Sequence, residues 1–154
     1  MGEDTGQTPQ PTSSLQQFAI LAGEWAMVGS HPAFSSAVHG HSSFTWLKDG
    51  ALLLWRFEWD EPLPPSALSV VGHDDTDDAG VCSVLYADER GVARIYRMSL
   101  DDGVWKMWRD SPGFSQRMTG TLSADGNTIT WRGELSRDGS HWEQDLSVTY
   151  TRQN

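Results

Sequence analysis

The chain has 154 residues, 21 of them acidic against 11 basic, for a formal net charge of −10. That length is enough for one domain with a core that needs no covalent staple, and Cys82, the only cysteine, excludes an internal disulfide. The charge leaves no basic stripe to displace the counterions of a nucleic acid and no face for an anionic membrane.

Residues 1–13 are polar and rich in Pro and Gly, the composition of a disordered tail. They carry neither the basic nor the apolar region of a secretory signal, and no apolar run approaches a membrane span, so a cytoplasmic protein is expected. Ser14 and Gln17 have the spacing of a capping box, with Leu15, Phe18 and Leu21 following at helical spacing and Gly23 placed to end the turn. A helix over 14–22 follows. At about two turns it is too short to stand alone and must lie on an apolar surface.

Period two takes over after Gly23. Strands are expected at 24–29, 37–47, 51–59, 67–73, 81–87, 92–100, 104–109, 114–122, 128–136 and 142–152. Turn signals separate them, among them Lys48-Asp49-Gly50, Asp101-Asp102-Gly103 and Asp125-Gly126-Asn127. No stretch between strands reads as a crossover helix, so every sheet neighbour is antiparallel. The expected architecture is all-β: one up-and-down barrel of about ten strands over residues 14–154, plugged at one end by the helix. In the last strand, Trp142, Gln144, Leu146, Val148 and Tyr150 alternate with Glu143, Asp145, Ser147 and Thr149, which places the first set inside. The Pro-bearing segments 29–34 and 60–65 are expected to rim an open end.

Gly23-Glu24-Trp25 resembles the start of a calycin barrel, the superfamily of lipocalins and fatty-acid-binding proteins. The resemblance implies that Trp25 packs across the closed end, with Arg152 of the last strand over it as a cation–π partner. The span from Leu15 to Arg152 is also similar to a lipocalin-like family frequent in actinobacteria. The phrases that carry this likeness are Gly-Ser-His-Pro at 29–32, Phe44-Thr45-Trp46-Leu47, Arg90 to Tyr96, and the run from Asp102 to Phe114. It implies a barrel with a small-molecule site. The neighbouring nitrobindin-like branch holds haem through a His on a late strand. This chain has Gln144 and Asp145 there, with His141 in the preceding turn, so no haem and no other cofactor is expected.

Arg94 and Tyr96 share a strand face with Val92 and Met98, and an Arg on a buried face needs a partner or an anionic ligand. Arg56, between Trp55 and Phe57, raises the same question, with Glu58 as a salt-bridge partner. Tyr86, Gln116 and the Trp55 indole complete a candidate ligand-binding set. His39 and His41 share a strand face with β-carbons about 7 Å apart. That face also holds Ser43 and Thr45, so it reads as solvated, and no metal site is expected. There is no Gly-x-Ser-x-Gly elbow, and Cys82 has no adjacent base. If the barrel is catalytic, His31 in the rim loop and Tyr96 are the acid–base candidates. The order of readings is a binder of a small apolar or aromatic, possibly acidic, molecule, then a cofactor-free cyclase or isomerase, then a haem protein. A monomer or homodimer fits each.

Overall fold

The computed structural model describes residues 13–75, 78 and 80–154. Ten strands follow a short N-terminal segment: β1 (Gly23–Ser30), β2 (Val38–Leu47), β3 (Leu52–Trp59), β4 (Ala67–Gly72), β5 (Cys82–Asp88), β6 (Ala93–Asp101), β7 (Val104–Arg109), β8 (Ser115–Leu122), β9 (Thr128–Ser136) and β10 (Glu143–Gln153). Each pairs antiparallel with its sequence neighbours, and β1 pairs with β10 to close an up-and-down barrel. Most of the expected tail lies outside the described residues. Ser13 already belongs to α1 (Ser13–Gln16).

The N-terminal plug differs from the single helix expected over 14–22. Only α1 is α-helical, and a 3₁₀ turn follows at Ala19–Leu21. The cause is a change of partners. The Ser14 hydroxyl accepts from Gly80 N–H instead of capping its own helix (3.4 Å), and Gln17 Oε1 accepts from Leu100 N–H (2.6 Å). These contacts tie the plug to the barrel and break the helix they were expected to cap. Leu15, Phe18 and Leu21 are buried beneath it.

The plug touches Gly80, Leu100 and Gly126, which places it at the end bearing the β4–β5, β6–β7 and β8–β9 connections. Trp25 is fully buried there, with its indole N–H on Leu21 O (2.8 Å) and the Arg152 guanidinium 4.2 Å from its ring. Phe44, Trp55, Trp105, Trp131 and Tyr150 fill the space above. The Phe44 and Trp55 rings stack at 5.2 Å, and Trp105 meets Trp131 at 4.3 Å. Such pairs add about 0.5–1.5 kcal/mol each beyond the area they bury. The plugged half is therefore solid, and any cavity must lie toward the other end.

Candidate functional site

A cavity of about 130 Å³ occupies that other end. The connections 31–37, 60–66, 89–92, 110–114 and 137–142 surround it, so the rim assignment of 29–34 and 60–65 agrees with the hairpin order. Its lining is mainly aromatic and thioether, with Trp55, Phe57, Trp59, Met107, Met118 and Trp131 among the walls. Trp55 is held in place because its indole N–H donates to Ser42 Oγ (3.0 Å), which donates in turn to Arg56 O (3.2 Å).

Polar groups gather on one side. Arg94 and Tyr96 point inward from β6, as their shared face with buried Met98 and Leu100 requires. The Tyr96 hydroxyl donates to Gln116 Oε1 of β8 at 2.6 Å. Burial pushes the Tyr96 phenol up from its ordinary value, while a hydrogen bond from Arg94 and the charges of Arg94 and Arg109 pull it down. The Arg94 guanidinium lies 4.9 Å from the Phe114 ring centre, and no carboxylate among the described residues forms an ion pair with it. Arg97, one residue out of phase, sits on the outer face and donates to Ser83 Oγ (2.9 Å).

Tyr86 lines the same cavity, edge-on to Tyr96 with centroids 5.8 Å apart. Its hydroxyl donates to Asp88 Oδ2 (2.7 Å), whose carboxylate also receives Arg90 through the side chain (2.7 Å) and the backbone N–H (2.9 Å). Burial, then the Asp88 hydrogen bond and charge, push the Tyr86 phenol up. Arg90 beside Asp88 holds that carboxyl well below the usual carboxylate range. This cluster locks the β5–β6 turn and fixes one wall of the cavity.

Three residues expected inside stand elsewhere, and one is Trp142, whose ring lies 3.9 Å from the exposed Arg117 guanidinium. Arg56 does not reach the cavity: Leu53, Trp55 and Trp59 are the inward residues of β3, and period two sends Arg56 and Glu58 to the exposed face. Gln144 is also outside. Between the pairs Gln144–Glu134 and Ser147–Arg132, two residues of β10 oppose the single Gly133 of β9. This β-bulge shifts the phase, so Gln144 is exposed and Asp145 turns to line the cavity. A Cβ on Gly133 would lie 2.9 Å from Leu146 O, so a side chain there would collide with the bulge.

His31 stands at the rim and does not line the cavity. Its Nδ1 accepts from Ala33 N–H (2.9 Å), and Nε2 lies 3.3 Å from Asp145 Oδ1. His39, His41 and His141 are exposed, and His73 is bonded to Val81 O. No histidine reaches the cavity, and the volume is below the several hundred Å³ typical of larger ligand sites. The residues present do not fit haem. Among the described residues no group of three metal-ligating side chains assembles.

A closed ten-stranded antiparallel barrel with an N-terminal plug and an aromatic interior is a lipocalin-like barrel. Its structure is similar to that of Rv2717c from M. tuberculosis, with a TM-score of 0.68 and 13% identity over 94% of this chain and 100% of that one. It is also similar to the S-type phycobiliprotein lyase CPES from Guillardia theta, with a TM-score of 0.58 and 11% identity over 93% of this chain and 94% of the lyase chain. At such identities the likeness is one of fold. No protein-family model and no curated protein matches the sequence.

Proposed function

We propose that this barrel binds a small aromatic molecule bearing an acidic group, with the ring in the cavity and the acid on Arg94. The observation that carries this reading is the Arg94 guanidinium, half-buried at an aromatic cavity with no carboxylate on it. A cation in that setting is stabilised by an anion brought from outside. Arg109 and Asp145 both act on Tyr96 with opposite signs, so the second cation offsets the carboxylate of the cavity and leaves the charge of Arg94 in excess. The volume sets the scale. An apolar cavity of about 150 Å³ holds benzene, so about 130 Å³ suits one ring whose polar substituent reaches toward the mouth.

The cyclase or isomerase alternative is weaker, since His31 does not line the cavity and the Tyr96 hydroxyl already donates its proton to Gln116. Among the described residues no helix is long and apolar enough to cross a membrane.

Calorimetric titration with benzoate tests the reading. Arg94→Ala should weaken binding by about 10- to 100-fold, the worth of a hydrogen bond to a charged group. Arg97→Ala should leave it unchanged. Equal effects from the two variants would remove Arg94 as the anchor.

A further inference from the structure

Asp145 is a carboxylate set among indoles, phenols and thioethers, and its side chain is 24% exposed. It is there by construction. The bulge turns it inward, Gly133 leaves the bulge its space, and His31 Nε2 stands 3.3 Å from one of its oxygens. That oxygen is Oδ1. The other, Oδ2, has no hydrogen-bond partner among the described residues. An acceptor so placed favours a ligand that brings a donor over one that offers only acceptors, because lone pairs then meet lone pairs.

From Arg94 and Asp145 on one cavity we infer that the site takes amphoteric aromatics: one ring carrying an acid for Arg94 and a separate hydrogen-bond donor, a phenol or aryl amine, for Asp145. The inference rests on the binding reading above and narrows it. A simple aromatic acid fills the space and satisfies Arg94 but leaves Asp145 facing apolar carbon. A hydroxylated one satisfies both. Sites built to hydrogen-bond a ligand hydroxyl reject the analogue that lacks it far more strongly than apolar pockets reject a lost methylene.

The experiment is a calorimetric comparison of benzoate with 3- and 4-hydroxybenzoate on the full chain. One of the hydroxybenzoates should bind at least about tenfold tighter than benzoate, a difference of about 1.4 kcal/mol. In Asp145→Ala that advantage should shrink to less than about twofold, while benzoate binds as well as before or better. Should the alanine variant fail to fold, Asp145→Asn keeps the shape and removes the charge, and the advantage should fall at least about threefold. If benzoate equals both hydroxybenzoates on the unaltered protein, the donor inference is wrong. Arg94→Ala against benzoate then still tests the binding reading independently. An advantage that survives the Asp145 substitutions also overturns the inference. If none of the three acids binds, both readings fall.

Discussion

The Arg152 guanidinium covers the Trp25 indole at 4.2 Å and donates to the carbonyls of Ala22 (3.0 Å), Gly126 (3.1 Å) and Ile20. One cation thus holds β10, the plug and the β8–β9 turn on a single ring. Trp25→Ala should cost roughly 3–5 kcal/mol, the range for truncating a buried large aromatic. Arg152→Ala should cost about 2 kcal/mol through the acceptors it leaves behind. Urea unfolding followed by circular dichroism checks both. Because the two residues touch, the double variant should lose less than the sum of the single losses.

The three tyrosines of the chain, Tyr86, Tyr96 and Tyr150, all have phenols raised above the ordinary 10.0, with burial as the leading cause in each. Above pH 10 the unfolded chain releases these protons and the folded one keeps them, so stability falls as pH rises. Phenolate absorbance should stay flat past pH 10 and then appear in one step together with the loss of strand signal. A tyrosine that ionises near pH 10 in the intact fold would contradict the burial.

At the acid limb the sign reverses. The Asp88 carboxyl is depressed, chiefly by Arg90 and with help from Tyr86, against an ordinary value of 3.8. Its contribution is present above pH 3.8 and is lost as pH falls toward the depressed folded value. Asp88→Asn should lower stability at neutral pH by about 1–3 kcal/mol. It should also flatten the decline below pH 3.8, as read from unfolding midpoints measured across pH.

Gly133→Ala tests the bulge. The added Cβ would press on Leu146 O, so the strand must shift or the bulge must relax, at a cost of about 1–3 kcal/mol. Binding of the preferred hydroxybenzoate should weaken with it, since Asp145 loses its aim. A variant with unchanged stability and affinity would show that the bulge does not position Asp145.

Strand bounds were legible because turns and alternation agree at nearly every hairpin, and β7 and β9 run over the residues their pattern marks. The inward set of β6 followed from the same parity, and so did the exposed face of His39 and His41. Arg56 was legible by the same rule, since Leu53, Trp55 and Trp59 fix the phase of β3. Its aromatic neighbours argued for burial, and parity overrides sequence neighbours. Asp145 was not legible. A bulge inverts the phase of one strand, and its only local mark is a glycine on the partner strand, informative once the register is known. The fate of Gln17 was likewise hidden, because the backbone N–H that donates to its side-chain oxygen is 83 positions away.

The seam between β1 and β10 joins Trp25 to Arg152, so the contact that completes the barrel is also among the most distant along the chain. Closing so long a loop must precede its reward, which places folding among the slower, non-local topologies. A sheet of the nine earlier strands alone would leave two unpaired edges, at β1 and β9, and β10 covers both. The same strand supplies Asp145 and the last wall of the cavity. Closure of the barrel and closure of the cavity therefore depend on the same strand.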